Sequence, residues 1–344
     1  MSSSSPVENP WLHRYICFTA CCTFLLIIAG GLVTSNDAAL AVPDWPLSFG
    51  KWMPEMVGGV FYEHGHRMAA TFVGMLTVIL AIWISVKEPR LWVRRLGWAA
   101  LAVVIAQGLL GGITVLYFLP PSVSMAHASL AQGFFCIIVT LAVVTGAKWL
   151  RERRRPEASD LPSLRKGAII IVAAVYLQLI LGAGYRHNAL GIAPHIVGAL
   201  VVLLTSLWLC WRAVIHHPKE WGKHAALLTG LVISQFALGI ATFFIKKIRL
   251  DFPQPTPQYV WSSTAHVALG ALVLAVSLLF ALRIHRRYSH SASEPSELMA
   301  RGVTRKGGAL SHEGRQSRNQ VSNLLSPAGP GGVDSSTPRA MGEK

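Results

Sequence analysis

A chain of 344 residues in which 52% of side chains are hydrophobic and 14% charged is too apolar for a water-soluble protein of that length, so a membrane class is expected and a soluble module is excluded. The net charge of +15 does not point to nucleic acid, because Lys and Arg gather between the apolar runs and in the C-terminal tail. All five cysteines, Cys17, Cys21, Cys22, Cys136 and Cys210, fall inside apolar runs, and no CxxC motif or disulfide framework is visible.

Eight runs are long enough to cross a hydrocarbon core of about 30 Å, which takes roughly 20 apolar residues as helix. In chain order they cover residues 16–36, 67–86, 96–118, 123–146, 167–185, 190–213, 225–246 and 260–283. The fold expected is all-α, with eight transmembrane helices forming two pseudo-symmetric four-helix bundles. An N-terminal segment (1–15) leads into a first half (16–147). A basic linker (148–166) separates it from a second half (167–285), and a tail (286–344) rich in Ser, Gly, Pro and Arg reads as disordered. Residues 1–41 also read as a cleaved signal peptide, with Arg14 before an apolar run and Ala39-Leu40-Ala41 as the cleavage site. Participation of the first span in the repeat described below argues against that.

Cations cluster after the even spans: Lys87, Arg90, Arg94 and Arg95; then Lys148 to Lys166; then Arg212, Lys219 and Lys223; then Arg283, Arg286 and Arg287. By the positive-inside rule those loops and both termini are cytoplasmic, in a multi-pass protein of the cell (inner) membrane. The opposite loops are poorer in cations, with Lys246, Lys247 and Arg249 in the fourth as an exception.

The odd spans share an element: "QGLLGGITV" from Gln107, "QLILGAGYR" from Gln178 and "QFALGIATF" from Gln235, with "LIIAGGLVT" from Leu26 in the first. Gly30, Gly111, Gly182 and Gly239 fall in register, which implies a duplicated hairpin. Glycines so placed normally allow close backbone approach between spanning helices. Each even span carries one histidine at or near its first turn, His66, His127, His195 or His266, and all four are expected near the outer face. Small residues follow on the same helix face: Ala70, Ala131, Gly198 with Ala199, and Gly270. They leave room for a flat ligand beside each imidazole.

A single interfacial histidine usually caps a helix or meets a headgroup. Four at matched places suggest instead axial pairs for haem iron, His66 with His127 and His195 with His266. Structural zinc asks for four N or S ligands, and non-haem iron for two His and a carboxylate that only the first half offers.

The segment "FYEHGHRMAA" (61–70) makes the halves unequal. Glu63 shares a helix face with His66, three residues on, and a carboxylate near hydrocarbon is a functional candidate, here a catalytic one. Its bland alternative is an ion pair with Arg67, and both readings can hold. His64 points to another face and is expected at the surface or in a hydrogen bond. Arg67 and Arg186, at outer helix ends, are candidate partners for haem propionates, unless they simply snorkel to the interface.

Together, "GGLVTSNDAALAVPDWPLSFG" (30–50), Glu63-x-x-His66-Arg67 and the histidines at 127, 195 and 266 resemble the heme A synthase family over about residues 15–285. The resemblance implies an oxidoreductase that oxidises a ring methyl of heme O to the formyl group of heme A. It implies heme O as substrate at His66 and His127, haem b as cofactor on the iron ligands His195 and His266, and Glu63 as catalytic. Heme O synthase, cytochrome oxidase assembly factors and an electron-transfer protein are the implied partners, within membrane lipid and with no nucleic acid. Some relatives carry a cysteine pair in the first outer loop; this chain has none there, so a thiol route through that loop is not expected. The rival reading is a di-haem b electron carrier of the quinol or ferric reductase kind. Ligands all near one face argue against a transmembrane relay, and a transporter would show broken helices and midplane charge.

Overall fold

The computed structural model describes residues 9–152, 161–249 and 252–288. The expected disordered tail beyond Tyr288 and part of the basic linker lie outside those residues. Its helices are α1 (Pro10–Ser35), α2 (Gly59–Lys87), α3 (Leu91–Leu116), α4 (Pro121–Thr145), a short α5 (Ala147–Arg151), α6 (Leu161–Arg186), α7 (Ile192–His216), α8 (Lys223–Arg249) and α9 (Pro257–Arg287). All except α5 are long and apolar enough to cross a membrane, so the protein is a multi-pass membrane protein. A π turn at Pro218–Gly222 leads into α8.

Local chemistry sets the helix ends. The Asn9 side chain accepts from Leu12 N at 3.1 Å with Pro10 at the first position, and Thr256 caps α9 with Pro257 in the same place. After α1, α3 and α6 the chain turns through left-handed residues: Asp37 (φ 52°), Phe118 and Leu119 (φ 55° and 58°) and Asn188 (φ 58°). Asp and Asn tolerate that conformation, whereas Phe118 and Leu119 adopt it at a cost.

Most helices begin several residues before their apolar runs, because the first turn needs no hydrophobic side chains once it clears the hydrocarbon. His66 therefore lies well inside α2, and His266 well inside α9, rather than in their first turns. The expected linker 148–166 is partly helical, contributing most of α5 and the start of α6. Lys246 and Lys247 belong to α8, not to a loop, and their ammonium groups lie over the rings of Tyr185 (4.3 Å) and Phe243 (4.9 Å).

In the first half α1 packs on α2, α2 on α3, α3 on α4 and α4 back on α1; α6, α7, α8 and α9 close in the same order. The halves meet through α1, α4, α6 and α9. Each has its own core, around Leu80, Ile84, Ile138 and Leu141 in one and Ile171, Leu209, Leu228 and Leu274 in the other. A third cluster of Ile27, Phe135 and Ala271 joins them, with the Phe24 and Phe135 rings stacked at 6.0 Å. Large apolar side chains such as Leu25, Ile82, Leu204 and Phe244 stay exposed on the periphery, where lipid is the natural solvent.

Candidate functional site

Each of the four register glycines is the seat of one imidazole. A Cβ on Gly30 would lie 3.1 Å from His66 Cε1; on Gly111, 3.2 Å from His127 Cε1; on Gly182, 2.9 Å from His195 Cε1; and on Gly239, 2.9 Å from His266 Cε1. These glycines make room for a ring from the facing helix, rather than for the backbone approach expected from sequence. The arrangement recurs in all four hairpins, α1–α2, α3–α4, α6–α7 and α8–α9.

Three hairpins add an amide. Gln107 Nε2 donates to His127 O at 2.9 Å, Gln178 Nε2 to His195 O at 2.8 Å, and Gln235 Nε2 to His266 O at 2.9 Å. Gln178 Nε2 also lies 2.9 Å from His195 Nδ1. Sequence reasoning quoted these glutamines without giving them a role; their constant step of four residues before each glycine was the available signal. Gly198 and Gly270 do not border an open slot, as their spacing suggested. They pack against the Gln178 and Gln235 side chains, a Cβ on Gly270 lying 3.2 Å from Gln235 Nε2.

The rings of His195 and His266 lie with centroids 6.3 Å apart and planes at 89°. A metal bonded to one nitrogen of each ring at about 2 Å needs centroids about 6 Å apart, so this pair fits the axial positions of a haem iron. Among the described residues no three His, Cys, Asp or Glu side chains gather as a metal cluster. Each half offers two imidazoles, fewer than the four ligands of a structural zinc site. His66 on α2 and His195 on α7 belong to outer helices, whereas His127 on α4 and His266 on α9 belong to helices at the junction of the halves.

Around His66 the first outer loop is clamped to α2. Glu63, 4% exposed, pairs through Oε1 with Arg67 Nη2 at 2.6 Å and accepts Val42 N–H on Oε2 at 2.8 Å. Arg67 donates further to the carbonyls of Asp44 (2.7 Å), Leu47 (3.0 Å) and Val42 (3.3 Å). The ion pair foreseen as the bland reading of Glu63 is therefore present, and it also holds the loop. His64 is buried, not superficial, with Nδ1 2.8 Å from Ser48 Oγ.

Asp44 accepts the N–H groups of Phe49 (2.7 Å) and Gly50 (2.8 Å). The Gly50 bond holds its carboxyl below the usual aspartate range; desolvation is the next largest effect and opposes it, and the Phe49 bond and the positive charge of Arg67 add to the lowering. Trp45, joined to Pro46 by a cis peptide, rests on α3 so closely that a Cβ on Gly112 would lie 2.8 Å from its ring. The loop thus covers α3 beside the seat of His127.

Arg186 ends α6 between the halves, donating to Ser263 Oγ (2.6 Å), Gly31 O (2.9 Å) and Ser35 Oγ (2.8 Å). Its neighbour His187, given no role from sequence, is pushed down to about 4 by burial and then by the charges of Arg186 and His127. It is neutral at physiological pH, and it brings a loop of the second half close to a histidine of the first.

The cytochrome oxidase assembly protein family matches residues 55–194. A heme A synthase of Symbiobacterium thermophilum is 30% identical over 244 residues, covering 62% of this chain and 80% of that protein. The chain belongs to the heme A synthase family. Heme A synthases of Alkalihalophilus pseudofirmus (22% identical, 68% of this chain and 87% of the relative) and Bacillus pumilus (23%, 79% and 94%) are similar over most of their length. In this heme A synthase family member the family match spans Glu63, His66, Arg67, His127 and Arg186, and stops one residue short of His195.

Proposed function

We propose that this chain is an oxidoreductase of the membrane that converts heme O to heme A by oxidising one ring methyl to a formyl group. In this reading the first half (16–147) receives heme O at His66 and His127, and the second (167–285) holds haem b on His195 and His266. The observation that carries it is the pair of imidazoles 6.3 Å apart at 89°, repeated in its glycine seats by the first half. Membership of the heme A synthase family supplies the substrate.

Haem b, when bound, supplies a one-electron redox centre. The protein's own residues do the rest. Glu63 lies one helical step from His66 on the same face, with Arg67 and the Val42 N–H fixing its two oxygens. Taking the methyl to the formyl group, CH3 + H2O → CHO + 4 H+ + 4 e−, passes through an alcohol and an aldehyde hydrate that loses water; the electrons leave to the electron-transfer protein named among the expected partners, and Glu63 would take up a proton or stabilise positive charge beside the macrocycle. Arg67 and Arg186 would hold the propionates of a bound haem with the donors their protein bonds leave over, Nε–H of Arg67 and Nε–H with one Nη1–H of Arg186. The charge pattern supports a topology with both termini in the cytoplasm and the four histidines near the outer face of the cell membrane.

The test is haem extraction and chromatography from membranes of cells that also make heme O synthase. Heme A is expected with the intact chain, and Glu63→Gln is expected to lower its formation about 10²- to 10⁴-fold, the usual range for a positioned acid or base, while haem b content persists. Full conversion by Glu63→Gln removes that role from Glu63. Haem b without heme A from the intact chain overturns the enzyme reading in favour of a di-haem carrier.

A further inference from the structure

We propose that Gln107, Gln178 and Gln235 are positioning residues for the imidazoles they face, and that Leu26, which holds their place in α1, makes His66 the exchangeable one of the four. This rests on the reading of the histidines as haem ligands.

Each glutamine precedes the ring-seating glycine by one helical turn, so its amide and the glycine address the same histidine. The Nε2 group bonds the histidine carbonyl at 2.8–2.9 Å in all three cases. It also lies 3.5 Å from His127 Nε2, 2.9 Å from His195 Nδ1 and 3.4 Å from His266 Nε2, so backbone and ring are addressed together. The helix carbonyl already serves its own ladder. An added bond from a neighbouring helix therefore fixes where the histidine backbone stands, not whether the helix forms.

The oxygens carry the second half of the argument. Oε1 of Gln107, Gln178 and Gln235 is buried without a partner in each hairpin, as is Nδ1 of His127 and of His266. Leaving one such group unpaired is costly, so three at one register are a feature and not an accident. When a metal takes one nitrogen of an imidazole, the other carries a hydrogen and seeks an acceptor, which raises the ring's basicity and fixes its orientation. The anchored amide carries such an acceptor, its unbonded Oε1, next to the Nε2 that meets the ring.

The first hairpin lacks the device. Leu26 stands one turn before Gly30, and it packs with the apolar core of the first half. His66 keeps its glycine seat, with Nδ1 buried unpaired like that of His127 and His266, but a leucine and not a glutamine stands one turn before that glycine. A ligand without outer support binds its metal more weakly. That suits a site whose occupant must arrive and leave, whereas the second half, with a glutamine behind both imidazoles, suits a resident group.

The test uses full-length protein in detergent loaded with hemin, following its transfer to excess haem-free myoglobin. Two phases are expected, the slow one removed by His195→Ala or His266→Ala and the fast one by His66→Ala or His127→Ala. Phases indifferent to these histidines overturn the ligand reading itself. With that pattern in place, Gln178→Leu and Gln235→Leu are expected to speed the slow phase about 10- to 100-fold and to change the low-spin ferric spectrum. Leucine is a tolerated shape at this register, as α1 shows. Leu26→Gln is expected to slow the fast phase at least about tenfold. Unchanged rates and spectra in the glutamine variants overturn their positioning role, and an unchanged fast phase in Leu26→Gln overturns the assignment of His66 as the exchangeable ligand.

Discussion

At the scale of single residues, the histidines depend on what is missing opposite them. Gly182 and Gly239 exist as glycines because even one carbon more would lie 2.9 Å from an imidazole. Gly182→Val or Gly239→Val is therefore expected to displace the ring and, in the function proposed, to strip bound haem from the purified protein, with overpacking costing about 1–3 kcal/mol. Gly230→Val in α8 has open space at its Cβ and serves as the control, in which the content of bound haem is expected to stay at the wild-type level. Equal loss in all three would show that the effect belongs to helix packing in general. The same logic explains the two settings of Glu63. Its neighbours Arg67 and Val42 make it part of the loop clamp, and its step of three residues places it on the face of His66.

At the scale of elements, the loop from Asn36 to Gly58 is the least regular part of the first half and the most thoroughly tied down. Five side-chain-to-backbone bonds from Arg67 and Asp44, one from Glu63 and the Ser48–His64 contact hold it without a sheet or helix of its own. Asp44 gives this loop a pH dependence of known sign. Its carboxyl is held below its ordinary value, chiefly by the Gly50 N–H, so the stabilisation is fully present above the ordinary aspartate pKa of about 4 and is lost as pH falls through the depressed one. Amide exchange protection of Phe49 and Gly50, corrected for intrinsic rates, is expected to stay flat from pH 7 to about pH 4 and to fall below it. Asp44→Asn is expected to abolish that step; a step that survives the substitution assigns it to another group.

At the scale of the whole molecule, α1, α4, α6 and α9 form the junction and α2, α3, α7 and α8 the flanks. Each half therefore draws one histidine from the junction and one from a flank. Arg186 pins the outer end of that junction by bonding α1 and α9 from the end of α6. Hydrogen bonds to a charged group contribute about 1.5–3 kcal/mol each, so Arg186→Leu is expected to lower the thermal midpoint in detergent by several degrees or more. Arg186→Lys, which keeps the charge but not the fork, is expected to restore part of it. An unchanged midpoint would leave Arg186 without a structural role. At the opposite end Arg287 pairs with Glu220 at 2.8 Å and Glu152 at 3.4 Å, Tyr288 donates to Glu220, and Arg286 bonds Trp149 O at 3.2 Å. The end of α9 is thus tied to the entry of α8 and to the α5 segment.

Hydrophobic run length by itself determined the eight helices, because lipid leaves a backbone few other ways to satisfy its hydrogen bonds. Register determined the four histidines and four glycines as matched sets, since a duplicated hairpin repeats in sequence what it repeats in space. Only the tertiary structure decided what those sets do to one another. Gly111 and His127 are far apart along the chain, and nothing local says that the hydrogen of one is the space for the ring of the other. The glutamines were visible but mute for the same reason: an amide's role is set by the partner it reaches across a helix interface. Glu63 likewise looked like a charge beside a histidine until the fold brought Val42, twenty-one residues earlier, to its second oxygen. Periodicity is a property of one helix and can be read along it; a seat, a clamp or a ring pair is a property of two, and exists only once they pack.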